Sequence, residues 1–213
     1  NSSVGAVWCE QPLNLNYPFT ISSELNFGNK DGTGADGIAF VLQEHSNSLT
    51  HNGGGIGYAI GGLNQNSNFN PSLAIEFDTH ENSSVSDLAN DHLGIQLNGI
   101  LDHNSSDALI SPVDLGDIEN GLAYSLVLHW NPNPDNNLIT PEGELRVYFD
   151  NQLQTTLSRD IKSDFDPLNN GMVYWGFTAA TGGYNNLQTV SNINPDFWSG
   201  NAPNILSNNT NVW

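Results

Sequence analysis

Lysine and arginine together number only four among 213 residues, against 23 aspartates and glutamates, which leaves a formal net charge of −19. Surfaces that grip nucleic acid or an anionic bilayer need basic patches, so nucleic acid is excluded as a partner. No stretch stays apolar over the roughly 18 residues that a spanning helix needs, which excludes direct insertion into a membrane by a helix. Cys9 is the one cysteine. An intramolecular disulfide is therefore impossible, and beside Trp8 the thiol reads as a small buried hydrophobe. No signal sequence or initiator methionine is present, so the chain reads as an excised module or mature segment, part of a longer protein. A helical period is missing as well, and no charge run or Pro-rich linker divides the chain.

What remains is a pattern of short β-rich runs between clusters of Gly, Asn, Asp and Pro. They fall at Phe19–Phe27, Gly37–Gln43, Leu73–Asp78, Leu93–Asn98, Tyr124–Trp130, Glu144–Phe149, Gln152–Leu157 and Met172–Ala180. Glu144 to Leu157 reads as a hairpin turning near Asp150-Asn151, with Leu145, Val147 and Phe149 on its inner face. A chain with 37% hydrophobic residues can bury a substantial core. The expectation is all-β, an antiparallel sandwich of two packed sheets over residues 1–198, followed by an Asn-rich extension or linker at 199–213.

Leu73 to Ile95 concentrates the chemistry. On the first strand Leu73, Ile75 and Phe77 share one face while Ala74, Glu76 and Asp78 share the other; on the returning strand His92, Gly94 and Gln96 lie opposite Leu93, Ile95 and Leu97. The loop between adds Asn82 and Asp87. Carboxylates, an amide oxygen and a backbone carbonyl form the hard oxygen set that suits Ca²⁺. An imidazole suits a transition ion better, so Glu76, Asp78, Asp87 and His92 are candidates for a second metal, Mn²⁺ or another Ca²⁺, that shares Asp78 and Asp87 with the first. The alternative is a polar loop between strands, since Asp and Asn favour turns.

From Glu76 through His92 the segment resembles, without a gap, the metal-binding core of the legume-type (L-type) lectins. Three more fragments follow that family's order: Ala35-Asp36-Gly37 ahead of an apolar run, Asn52-Gly53-Gly54-Gly55-Ile56-Gly57, and Trp175 through Tyr184. The resemblance spans Trp8 to Phe197 and implies a concanavalin-like jelly roll. It implies Glu76, Asp78, Asp87 and His92 as transition-metal ligands, and Asp78, the carbonyl of His80, Asn82 and Asp87 as calcium ligands. It also implies a sugar site in which Asp36 accepts hydroxyl hydrogens after a cis Ala35-Asp36 peptide. Gly54 or Gly55 would donate a backbone N–H there, Asn82 its amide, and the loop holding Gly183, Tyr184 and Asn185 the last contact. The family usually carries Tyr or Phe where this chain has His80, so Tyr184 is the candidate to stack on the sugar in its place.

The expected function is calcium-dependent carbohydrate binding without catalysis, by a bacterial adhesin-like module that is secreted or displayed at the cell surface. Its expected partners are glycans or polysaccharide on a cell or biofilm. Two alternatives stay open. Glu76, Asp78 and Glu81 also resemble the E-x-D-x-x-E signature of jelly-roll endoglucanases, in which Glu76 would be nucleophile and Glu81 general acid. A calcium-stiffened structural adhesin module without a sugar site is the other. His45, His51, His103 and His129 lack ligand-spaced partners and read as surface or satisfied core residues. Asn82, Asn104 and Asn208 open formal glycosylation sequons, which so much Asn and Ser produces by chance.

Overall fold

The computed structural model describes residues 2–45, 52–59, 69–135, 142–197 and 211–212; His51 and the Asn208 sequon lie outside them. The strands are β1 (Ser3–Trp8), β2 (Leu13–Asn14), β3 (Phe19–Asn26), β4 (Gly37–Gln43), β5 (Ser72–Asp78), β6 (Asp91–Leu97), β7 (Val113–Gly116), β8 (Tyr124–Asn131), β9 (Glu144–Phe149), β10 (Gln152–Ser158), β11 (Met172–Thr181), β12 (Thr189–Phe197) and β13 (Asn211–Val212). The only helical turns among the described residues are short 3-10 segments. One antiparallel sheet runs β1-β11-β4-β5-β6-β7, with β2 also on β11, and the other runs β10-β9-β8-β3-β12-β13.

The second sheet follows from strict alternation. Phe19, Ile21 and Leu25 of β3, Leu126, Leu128 and Trp130 of β8, and Leu145, Val147 and Phe149 of β9 all point inward. They meet Ile38, Phe40, Leu42, Ile75, Phe77, Leu93, Ile95, Trp175 and Phe177 from the facing sheet. Each such side chain contributes about 1.5–3 kcal/mol when fully buried. The β9–β10 hairpin turns at Asp150 and Asn151, both at positive φ (49° and 61°), as a two-residue primed turn requires.

Alternation fails in β4 and β5, which are buried along their whole length. The cause is a second, smaller apolar cluster on the outer face of the first sheet, where Ile56, Tyr58, Ala59, Phe69 and Leu101 cover Ala39, Val41 and Ala74. Tyr58 anchors this cover: its hydroxyl shares a hydrogen bond with Ser72 Oγ (2.8 Å) and accepts one from Gly99 N (2.8 Å). Glu76 and Asp78 continue the same outer face beyond Ala74. The cover thus places two carboxylates in a low-dielectric setting at the end of the sheet.

Candidate functional site

Register assembles the site. In the β5–β6 ladder Ala74 faces Gln96, Glu76 faces Gly94, and Asp78 faces His92, and directly paired residues share a face. The missing side chain at Gly94 makes the room, since a Cβ there would collide with Glu76 Oε1 and come within 2.9 Å of His103 Cε1. Gly94→Ala is therefore expected to weaken divalent-ion binding by about tenfold, or 1.4 kcal/mol, and to lower stability by about 1–3 kcal/mol through overpacking. Ion titration and thermal melts of the variant check both.

Behind Gly94, His92 Nε2 lies 2.9 Å from His103 Nε2, and His103 Nε2 lies 3.1 Å from Glu76 Oε1 and 3.5 Å from Asp87 Oδ1. His92 Nε2 is 3.8 Å from the same Asp87 oxygen. Among the described residues, two groups have ligand atoms close enough to hold a metal ion: Glu76, His92 and His103, and Asp78, Asp87 and His92. Burial pushes the Glu76 and Asp78 carboxyls well above their usual range, and the neighbouring Asp87 adds to both. Burial likewise raises Asp87 to about 6 and lowers His103 to about 4. Clustered carboxylates beside neutral imidazoles suit a divalent cation, so the donor chemistry fits a bound metal ion at this end of the sheet.

The loop after β5 brings further oxygens to this end. Asp78 Oδ1 accepts from His80 N (2.7 Å), Asn82 N donates to Asp87 Oδ2 (2.7 Å), and Asn82 Nδ2 donates to the His80 carbonyl (2.8 Å). Hydrogen bonds thus link the residues of all four expected calcium ligands in series, Asp78 to His80, His80 to Asn82 and Asn82 to Asp87. The Asn82 amide presents its nitrogen to His80 O. Two carbonyl oxygens would repel there unless a cation stood between them.

The Ala35-Asp36-Gly37 turn lies against this loop, with Thr79 N donating to Asp36 O (3.0 Å). Ala35-Asp36 is cis, and Asp36 is 3% exposed with Oδ2 lacking a hydrogen-bond partner. Its carboxyl is raised to about 7 by burial. A Cβ on Gly182 would come within 3.1 Å of both Asp36 Oδ2 and Gly53 Cα, which puts the ADG turn, the glycine loop and the loop after β11 side by side. Gly54 packs on Asn82: a Cβ there would sit 2.9 Å from both Oδ1 and Nδ2 of the amide. Tyr184, 49% exposed, meets His80 edge to face with ring centroids 5.3 Å apart. Gly183 is exposed with open space around it, whereas Asn185 accepts from Lys30 Nζ through Oδ1 (2.7 Å).

The carboxyl values carry a pH dependence. A carboxyl raised in the folded state holds its proton there longer than in the unfolded chain. Its contribution is fully present below the ordinary 3.8 and is lost as pH rises through about 6 for Asp87 and about 7 for Asp36. Melting temperature in EDTA is expected to fall between about pH 4 and about pH 7, with added calcium reversing the fall at the upper end. A flat or rising profile in EDTA would contradict it.

His103 corrects the reading of the histidines. It was expected among surface or satisfied core residues, yet its side chain is 3% exposed and lies within the carboxylate–imidazole group. The loop after β6 folds back, held by His103 N donating to Val85 O (3.0 Å), so a residue with no ligand-spaced neighbour arrives from outside the strand pair. The available signal was Gly94, a vacancy opposite Glu76 that some other element had to fill. His45 is exposed and His129 half-buried.

Comparison with known proteins agrees with this geometry. A family model described as the legume lectin beta-barrel domain matches residues 1–194. The L-type lectin-domain containing receptor kinase VIII.1 of Arabidopsis thaliana is 25% identical over 213 residues, covering 93% of this chain and 26% of its own length. A probable L-type lectin-domain containing receptor kinase S.7 from the same plant is 29% identical, covering 77% and 23%. The chain thus spans about a quarter of the length of these plant relatives. Among solved structures, a lectin from Bauhinia forficata in complex with GalNAc superposes with a TM-score of 0.66 at 20% identity, covering 89% of this chain and 76% of that one. Lectin UEA-II complexed with galactose gives 0.65 at 20%, covering 89% and 78%. These likenesses show the fold, the jelly-roll sandwich.

Proposed function

The chain belongs to the legume L-type lectin domain family, and from that premise we propose that it binds a glycan in a cradle ordered by calcium and a second metal. Asp36 would accept sugar hydroxyls, Gly54 and Asn82 would donate, and Tyr184 with His80 would present an aromatic edge to the ring. The observation that carries this reading is the buried, unpartnered Asp36 Oδ2 beside Gly182 and Gly53, since such an acceptor costs stability unless a ligand uses it. Asp78, the His80 carbonyl, Asn82 and Asp87 would hold calcium. Glu76, Asp78, Asp87 and His92 would hold the second ion. A cation supplies the charge compensation that lets these carboxylates stay ionised together.

The glycosidase reading has less support. Glu76 is buried and engaged by Gln96 Nε2 (2.7 Å) and His103, while Glu81 is exposed on the loop. A general acid and a nucleophile must both face one sugar bond. The structural-module reading is opposed by the unpartnered Asp36 acceptor.

The biological setting belongs to the same proposal: a carbohydrate-binding module of a longer, secreted or surface-displayed adhesin, bacterial in type, acting on glycans of a cell or biofilm. No helix among the described residues is long and apolar enough to cross a membrane. The test is a glycan array probed with and without calcium, with galactose and N-acetylgalactosamine, the sugars of the two superposed lectins, among its members. Calcium-dependent binding to some glycan is expected; absence of any binding in calcium would overturn the proposal.

A further inference from the structure

We infer that His103 is a direct ligand of the second ion, making that position a two-histidine site for a transition metal of the zinc type rather than for manganese or calcium. This rests on the cation-binding reading above and adds to it a ligand from the loop beyond β6.

Three ligand groups carry the inference, Glu76, His92 and His103, whose ligand atoms all lie within 4.8 Å of one another. His103 Nε2 is 2.9 Å from His92 Nε2 and 3.1 Å from Glu76 Oε1, and Asp87 Oδ1 stands 3.5 Å from His103 Nε2 and 3.8 Å from His92 Nε2. A tetrahedron with metal–ligand bonds of about 2.0–2.1 Å has edges of roughly 3.3 Å, close to the separations that His103 Nε2 makes with its three neighbours. Two ring nitrogens aimed at one another at 2.9 Å can share a single proton, but a cation between them engages both lone pairs together with both carboxylates. Two imidazoles with two carboxylates form a set that suits zinc or cobalt, whereas manganese and calcium prefer oxygen.

Gln96 is the independent observation. It is 1% exposed, its Oε1 has no hydrogen-bond partner, and its amide lies 3.2 Å from His103 Nδ1. A metal-bound imidazole presents its second nitrogen as N–H and needs an acceptor there. Turning the Gln96 amide brings Oε1 to Nδ1, fixes the proton on that atom and leaves Nε2 for the ion. Glu76 then gives up its hydrogen bond from Gln96 and takes the cation instead. A cleft of about 380 Å³ lined by Ser86, His103, Asn104 and Pro112 lies beside the ring.

The test strips the whole chain with chelator and titrates Zn²⁺, Mn²⁺ and Ca²⁺ separately against a metal indicator, with Co²⁺ as the visible reporter. Intrinsic metal order favours zinc over manganese at almost any site, so the decisive quantity is the part that depends on His103. Both His103→Ala and His103→Asn are expected to weaken zinc binding by roughly ten- to hundredfold, to lose the intense cobalt bands of a four-coordinate site, and to bind calcium as the unmodified chain does. Zinc affinity and cobalt spectra unchanged in both variants would overturn the proposal. Should the variants misfold, imidazole nitrogen resonances of the unmodified protein decide: zinc must shift both His92 and His103, and a shift of His92 alone would overturn it. Failure of the unmodified chain to bind any divalent ion would instead remove the cation-binding reading beneath it, an outcome separable from the others.

Discussion

Chelation of divalent ions is expected to lower glycan affinity by about a hundredfold or more, roughly 2.7 kcal/mol, and to lower the melting temperature by about 5–15 °C. The argument starts from Glu76, Asp78 and Asp87, three carboxyls that crowd one end of the outer sheet face. Burial raises all three, and the Asp87 charge adds to Glu76 and Asp78. With cations bound they can ionise together, and the loop from His80 to Asp87 gains a fixed centre. Without cations they must take up protons or separate, and Asn82, which packs against Gly54, moves with them. An ion that binds only the folded chain at about a hundred to a thousand times its dissociation constant adds about 2.7–4.1 kcal/mol. Isothermal titration with an array-identified glycan, before and after EDTA, reads the affinity; melting curves read the stability. Unaltered affinity after verified metal removal would contradict the account.

Asp36→Ala is expected to remove glycan binding while leaving metal binding intact and the fold no less stable. Hydrogen bonds to a charged group are worth about 1.5–3 kcal/mol each, so the loss of two hydroxyl contacts predicts a fall of roughly a hundredfold to ten-thousandfold. Stability moves the other way for a stated reason. Asp36 is 3% exposed and its Oδ2 has no partner, so deleting the carboxylate removes a desolvation cost from the unliganded protein. A variant that melts no lower than the parent, still binds calcium, and fails to bind sugar would assign the side chain to recognition. A variant that keeps its glycan affinity would remove Asp36 from the site.

Much of this architecture was legible in the sequence, and for particular reasons. β3, β8 and β9 each have one face in the core and one outward, so their alternation named both the strand and its inner residues. β4 was found as an apolar run and β5 by its alternating faces, but their double burial came from a cover built by Ile56, Tyr58 and Phe69, which no local pattern announces. β1, β7 and β12 were not anticipated. β7 has only four residues, and β12 carries Pro195, an irregular register between Ser191 and Asn194 and a positive φ at Asn192, features that ordinarily argue against a strand.

The candidate site divides in the same way. Glu76, Asp78 and His92 lie on adjacent strands whose parity could be read directly, and Gly94 and Gln96 on the same face mark where the centre sits. Asn185 stood with Gly183 and Tyr184 as a candidate, but its side chain reaches Lys30, a pairing 155 residues apart in sequence. His103 was hidden because its approach depends on the fold of the loop after β6 rather than on any spacing.

The most direct test of the central claim, that bound cations order the glycan cradle, is a calorimetric titration of calcium into stripped protein in the presence and absence of a saturating bound sugar. Linkage requires each ligand to tighten the other by the same factor. The account predicts a calcium isotherm displaced to tighter binding by the sugar, by the factor through which calcium raises sugar affinity. Superimposable isotherms, together with undiminished sugar binding in EDTA, would contradict it.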